Sequence, residues 1–407
     1  MHTILVSAYD VNPYKGSESG SAWNFILQIS KKNKAIIFTR RNNEARISEY
    51  VKSNNISLDN LTFMYFDLPK WAMFWKRGPR FSSIYFYLWQ MSLPVYVWMK
   101  KYKFDLAHNL NFHTDSVPTF LWLLGRPTVW GPINHNEPIS RFYITKKDWL
   151  VDRAKWLFKR FAWAFDPFHA IARARVSLII GANSSVQHRL DIDNDKFYKL
   201  TTIAASYPSI EVVTRSRECF HVAVVGRHVA IKSIDLAIKS FDRFYKRLDV
   251  IDRVKVKLFI LGDGVKRTQF EALARSLSSS SAIEFVSWVP HSKIGEFYMD
   301  MDCFLNCSHE GAGAVVAEAL SFGLPMVCFD NFGAGETVDK SCSLNVSHGS
   351  LESVVNDFSV HLGSLYHDKD KFMSLSKGAL AYYESNLTWD AKGNKISKIY
   401  DKLLEKN

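Results

Sequence analysis

Short apolar runs alternate along this chain with longer segments whose apolar residues recur at helical spacing, a pattern that demands βαβ units and parallel sheets. Strands are expected at 3–8, 35–39, 61–66, 106–108, 128–130 and 177–182. The pattern then restarts with strands at 221–225, 255–261, 283–286, 303–307 and 325–329. Between the two series lie S-Y-P-S-I around Pro208 and a polar stretch to Arg217, the natural place for a domain boundary. The fold class is therefore α/β with two Rossmann-like domains, residues 1–208 and 218–385, followed by a terminal helical segment, 386–407. No short internal repeat is visible, which removes solenoids and propellers.

Charge sharpens the picture. The 407 residues carry 52 Lys and Arg against 40 Asp and Glu, a formal +12, so some partner is anionic. The excess is local. Residues 70–103 hold seven basic side chains and no acid, and residues 141–175 hold nine against three, so the rest of the chain is close to neutral. Nine of the twelve Trp lie in this half, between Trp71 and Trp163. Trp149, Trp156 and Trp163 are seven apart and fall on one helical stripe, with Arg153, Lys159 and Arg160 between them. Aromatics flanked by long cations suit an anionic membrane surface, the alternative being that many of them are core residues. No nucleic-acid motif accompanies them, and nucleic acid is not expected as a partner.

The opening M-H-T-I-L-V-S-A-Y lacks a basic region and a cleavage site and reads as a strand. No window reaches 18 consecutive apolar residues. Five Cys, all in the second half on or beside apolar runs, read as reduced structural thiols of a cytoplasmic protein. The spacing of Cys303 and Cys307 falls within a strand, and D-N-D at Asp193 and D-M-D at Asp300 occupy a polar loop and a helix end. No metal site is expected from them.

The most specific run begins at Ser308: S-H-E-G-A-G-A-V-V-A-E-A-L-S-F-G-L-P-M-V. Glu310 falls at the carboxyl end of a strand, where α/β sheets bind ligands. Gly311, Ala312 and Gly313 are small residues at a helix start, whose amides suit a phosphate. Glu318 follows within that helix. Carboxylates repel phosphate but accept strong hydrogen bonds from sugar hydroxyls, so the combination points to a nucleotide sugar. An ordinary loop acid and a solvated helix residue are the plainer alternative. In V-A-V-V-G-R-H-V-A-I-K, Arg227 and Lys232 follow a strand and Gly226, offering a planar fork and a point charge for two phosphates. Near the start, Gly16 and Gly20 lie in a turn between the first strand and helix, which is either an anion or acceptor loop or a tight turn capped by Ser17 or Ser19.

Glu310 with Glu318, Arg227 with Lys232, L-G-D-G at 261–264 and the G-S-E-S-G loop together resemble a family-four retaining glycosyltransferase of the GT-B fold, of the bacterial lipopolysaccharide, O-antigen or capsule type. The resemblance runs over most of the chain and is strongest from 226 to 330. It implies two Rossmann-like domains facing across a cleft, with the terminal helix returning to the first. It assigns Glu310 to donor hexose hydroxyls, Glu318 to the ribose, Arg227 and Lys232 to the diphosphate, and the loop at Val289 to the base. Ala312 stands where the family often has a bulky aromatic, and Ser233 where it has Gly. A site histidine is common in the family. His108, His113 and His135 all qualify by location; the G-P-I-N-H turn makes His135 the first choice and His113 the second. The implied reaction moves a hexose or N-acetylhexosamine from a nucleotide-diphosphate sugar to a lipid-linked or lipopolysaccharide glycan acceptor, with retention and without metal or other cofactor, at the inner face of the cytoplasmic membrane. The alternatives are a nucleotide-sugar epimerase on the same fold and a non-catalytic GT-B module binding membrane or nucleic acid.

Overall fold

The structure, a computed structural model, describes every residue except 17, 77–80, 112–113, 208–218, 288, 291–292, 312 and 406–407, and omits the side chains of 162 and 163. The expected domain boundary at 208–218 thus lies outside the described residues. The strands are β1 (Thr3–Ala8), β2 (Lys34–Thr39), β3 (Leu61–Tyr65), β4 (Leu106–Asn111), β5 (Thr128–Ile133), β6 (Leu178–Gly181) and β7 (Phe197–Lys199), then β8 (Phe220–Val225), β9 (Val256–Leu261), β10 (Ile283–Val286), β11 (Cys303–Asn306), β12 (Met326–Phe329) and β13 (Ser343–Val346). The helices are α1 (Glu18–Ser30), α2 (Glu44–Ser53), α3 (Ser82–Met99), α4 (Lys146–Phe165), α5 (Pro167–Arg175), α6 (Ser184–Leu190), α7 (Ile234–Arg247), α8 (Val250–Arg253), α9 (Arg267–Arg275), α10 (Ile294–Met299), α11 (Ala314–Ser321), α12 (Ala334–Thr337), α13 (Leu351–His367), α14 (Lys369–Tyr382) and α15 (Trp389–Leu404).

These elements form two all-parallel sheets, ordered β3-β2-β1-β4-β5-β6-β7 and β10-β9-β8-β11-β12-β13. Both have the doubly wound order, which reverses direction once, between β1 and β4 in the first sheet and between β8 and β11 in the second. The two short strands that the hydrophobic pattern did not reveal, β7 and β13, are outer strands whose central residues are exposed or half-buried. One face of such a strand is all that needs to be apolar.

The chain divides into two compact units: Met1–His135, Leu157–Thr202 and Trp389–Asn407 make the first, and Asn136–Trp156 with Ile203–Thr388 the second. Residues 136–156, which the sequence pattern leaves with the first domain, group with the second because side chains tie them there. The Tyr143 hydroxyl donates to the Gly349 carbonyl at 2.9 Å and accepts from the Gly349 amide at 3.0 Å, and Lys266 binds Asp148 at 2.6 Å. Ile139 and Tyr143 also join the second unit's apolar core.

Within the first unit, α15 packs on α1, with the Phe25 and Trp389 rings 5.3 Å apart, and its Ile396, Ile399 and Tyr400 join the apolar core under the sheet. In the middle of β4, fully buried His108 has Nε2 2.6 Å from the Gly131 carbonyl and Nδ1 2.5 Å from the Tyr400 hydroxyl. A carbonyl only accepts, so Nε2 carries the proton and Nδ1 receives the Tyr400 hydroxyl. His108 is therefore a structural pin between β4 and α15, and the location argument that placed it among site histidines fails because its side chain faces the core.

Burial lowers the pKa of His108 to about 4, and that of His169 likewise to about 4. In the unfolded chain both titrate near the ordinary value, so the unfolded state binds more protons between the two values. Stability is therefore full above about pH 6.5 and falls on acidification toward pH 4, by about 1.4 kcal/mol per pH unit for each histidine. The thermal unfolding midpoint should drop between pH 7 and pH 5; a midpoint that stays level over that range would contradict the neutral, buried assignment.

Candidate active site

The second unit's switch point brings together the loops that leave β8 and β11. Gly226 follows β8 with φ +154°, and a Cβ there would press on the Lys232 side chain at 3.2 Å. The chain then closes a single 3-10 turn, Ala230–Lys232, which folds Lys232 back over the strand end. Its Nζ lies 2.8 Å from Glu310 Oε2, and the Lys232 side chain is only 10% exposed. Arg227 approaches the same carboxylate, Nη2 to Oε1 3.7 Å, but stays 76% exposed. Two cations of different reach thus converge on one carboxylate, the buried one fixed and the exposed one free to swing.

Ser233 has left-handed backbone dihedrals, φ 44° and ψ 46°. That explains why the resembling family carries Gly here; Ser keeps the conformation at a local cost rather than changing the loop. The loop is held from beneath by L-G-D-G. The His228 amide donates to the Asp263 carbonyl at 2.8 Å, and the Lys266 amide donates to the His228 carbonyl at 3.0 Å. At Gly262, φ +137°, a Cβ would stand 2.1 Å from the Gly226 carbonyl oxygen, so the two loops meet backbone to backbone.

Beyond β11, the Ser308 hydroxyl accepts the Glu310 amide at 3.2 Å, and the Asn331 side-chain amide donates to the Ser308 carbonyl at 3.1 Å. His309 is half-buried and stacks on Tyr143, centroids 5.2 Å apart, so the 136–156 segment buttresses the residue next to Glu310; loss of solvent around its ring lowers the His309 pKa to about 3. The expectation of uncovered amides needs correcting at Gly311, whose N–H donates to Asn136 Oδ1 at 2.7 Å. Asn136, from the same 136–156 segment, takes this amide. Ala312 lies outside the described residues. Gly313 caps α11 in extended conformation.

Glu318 is not a solvated helix residue: it is 5% exposed, and its Oε2 accepts the Tyr298 hydroxyl at 3.1 Å. Val289, half-buried, follows β10, and its neighbour Trp288 is outside the described residues. In the first unit Gly16 is exposed in the bend after β1. Ser17 is not described, and Ser19 lies inside α1, where its carbonyl accepts the Asn12 amide at 3.1 Å, so Ser19 is not the cap.

The first unit carries its own polar cluster after β4 and β5. His135 Nδ1 donates to Asp115 Oδ2 at 2.8 Å, and Arg189 Nε lies 3.4 Å from the same oxygen. Burial alone would raise the Asp115 carboxyl, but the hydrogen bond and charge of His135 and the charges of Lys159 and Arg189 bring it down to about 2. An ionised Asp115 fixes the proton of His135 on Nδ1, the orientation a proton-accepting or hydroxyl-binding imidazole needs. His113 is outside the described residues. Sequence reasoning missed Asp115, Asn136 and Tyr298, three side chains that act through the named residues and sit in no recognisable motif.

Residues 213–355, spanning β8 to β13, match the family model of glycosyl transferases group 1. No curated protein matches the sequence. Among solved structures, the chain is similar to Anabaena HepE in complex with UDP, at 13% identity and TM-score 0.60, covering 99% of this chain and 100% of that one. HepE has also been solved with UDP-glucose. A glycosyltransferase from Rickettsia africae aligns at 12% identity and TM-score 0.65, covering 100% and 99%. WaaG, a glycosyltransferase involved in lipopolysaccharide biosynthesis, aligns at 15% identity and TM-score 0.57, covering 97% and 99%. The fold is GT-B, and the part of its second unit from 213 to 355 is what the glycosyl transferases group 1 model matches. The chain is a glycosyltransferase.

The backbone contact at Gly262 yields a direct test. Gly262→Ala forces the β8 and β9 loops apart and should lower stability by on the order of 2 kcal/mol. Gly349→Ala, where a Cβ meets nothing closer than 3.8 Å, should leave the unfolding midpoint nearly unchanged. Equal midpoints for the two variants would contradict the close approach.

Proposed function

We propose that the chain transfers a hexose or N-acetylhexosamine from a nucleotide-diphosphate sugar to a lipid-linked or lipopolysaccharide glycan acceptor, with retention, at the inner face of the cytoplasmic membrane. The observation that carries the donor reading is the convergence of Lys232 and Arg227 on Glu310 at the second unit's switch point. A sugar diphosphate presents negative phosphates directly beside hydroxyls, and this cluster offers cations directly beside a carboxylate. Lys232 and Arg227 take the diphosphate and stabilise it as it leaves the anomeric carbon, a task that needs no metal when two cations perform it. Glu310 holds hexose hydroxyls. Glu318, oriented by Tyr298, takes the ribose, and the loop at Val289 faces the base.

The first unit receives the acceptor, with His135, oriented by Asp115, binding a hydroxyl near the reacting centre. Retention follows from attack on the face the leaving group vacates, as in the resembling family. The acceptor class is supported by that resemblance, by the basic first half of the chain and by the likeness to WaaG. UDP-sugars are the first donors to try, given the UDP complexes of HepE.

A thermal-shift panel of UDP-, GDP-, ADP- and CMP-sugars identifies the donor, and a diphosphate sugar should give the largest shift. With that donor, Glu310→Ala and Lys232→Ala should each lower transfer by roughly two to three orders of magnitude without changing the unfolding midpoint by more than a few degrees. Retained turnover in either variant would overturn the site. Product formed from donor alone would favour the epimerase.

A further inference from the structure

Helix α3 turns two different faces inward and outward, and both are apolar. Inward, Tyr85, Trp89, Leu93 and Val97 recur every four residues and are buried in the first unit's aromatic core, the Trp89 ring 5.3 Å from Tyr9. Outward, Ile84, Met91, Val95 and Trp98 form a second stripe, exposed by 53%, 39%, 54% and 78%. The 18-residue helix contains no charged side chain. A helix facing water on one side carries polar residues there. This one does not, and among the described residues no helix is long and apolar enough to cross a membrane.

The stripe continues onto the neighbouring helices. The Tyr87 hydroxyl of α3 donates to the Asp166 carboxylate at 3.0 Å, and the Phe120 ring lies 5.5 Å from both Tyr87 and Phe168. Beside this junction Phe158, Phe161 and Phe165 of α4 are exposed by 75%, 60% and 79%. The exposed stripe of α4 is thus built of Phe rather than of the seven-spaced Trp: Trp149 and Trp156 are half-buried, and the Trp163 side chain is not described. At the other end of α3, Lys101, Lys103 and Arg126 border an open groove of about 1310 Å³ walled by Val97, Trp98 and Leu124.

We propose that this face of the first unit lies on an anionic lipid bilayer, with α3 parallel to the membrane plane and Trp98 in the headgroup region. Charge selects the occupant. Residues 70–103 carry seven basic side chains and no acid, a match for anionic headgroups. A second copy of the chain would set Lys100, Lys101 and Lys103 against the same cations, since a two-fold interface meets itself. The helix begins on the side where β3 ends and finishes before β4 begins, so the contact extends about 27 Å along the unit, up to the strand ends where an acceptor is taken. The purpose of this surface rests on the lipid-linked acceptor proposed above; its existence does not.

Flotation of the full chain with phosphatidylglycerol–phosphatidylethanolamine vesicles, with phosphatidylcholine vesicles as control, tests the surface. The protein should float with the anionic vesicles and remain below with the neutral ones. A Val95→Glu/Trp98→Glu variant, altered only at exposed positions, should float about tenfold less while keeping its unfolding midpoint and its donor-induced thermal shift. A protein that ignores anionic vesicles, a variant that floats like the parent, or a dimer in solution that this variant dissociates would each overturn the proposal. Flotation without any donor-induced shift would sustain the surface and count against the nucleotide-sugar reading.

Discussion

Every strand in both sheets runs parallel to its neighbours, and the rest of the molecule follows from that. Parallel strands cannot be joined by tight turns, so each connection is a crossover, and a doubly wound sheet must reverse its winding once. At the reversal two loops leave adjacent strands in diverging directions. In the second unit those are the loops after β8 and β11, and they carry Arg227, Lys232 and Glu310. The position of the site is a consequence of topology before any side chain is considered.

Side chains then turn that opening into a specific receptor. The 2.8 Å contact between Lys232 and Glu310 fastens one loop to the other and leaves opposite charges side by side. A ligand that presents only anions would have to compete with Glu310; one that presents only hydroxyls would leave Lys232 bound as before. A sugar diphosphate satisfies both at once. Asn136 plays a similar fastening part at Gly311, tying down the amide of the loop that leads into α11.

Much of this was legible in the sequence, and the reasons for the rest are physical. Buried strands such as 3–8 and 325–329 announce themselves as apolar runs because both faces are covered. The edge strands β7 and β13 do not, since F-Y-K and S-L-N-V need only one apolar face. Glu310, Lys232 and Arg227 were readable because their strand–Gly–loop setting is local. Asp115, Asn136 and Tyr298 were not, because each reaches its partner across 20 residues or more of chain. Spacing placed residues on a helical stripe without saying which way the stripe faces: Trp149 and Trp156 sit half inside while Phe158 and Phe161 face out. His108 illustrates the same limit on a strand, where location near the sheet's centre says nothing about which side of the sheet a ring is buried on.

The central claim is that Lys232 and Glu310 divide one donor between phosphate and sugar. Calorimetric titration of the parent chain, Lys232→Ala and Glu310→Ala with the preferred sugar nucleotide and with its bare nucleoside diphosphate tests it directly. Lys232→Ala should weaken both ligands. Glu310→Ala should weaken the sugar nucleotide by roughly tenfold or more while leaving the diphosphate unchanged or tighter, as expected for lost hydrogen bonds to a charged group. An equal loss of both ligands in Glu310→Ala would contradict the division.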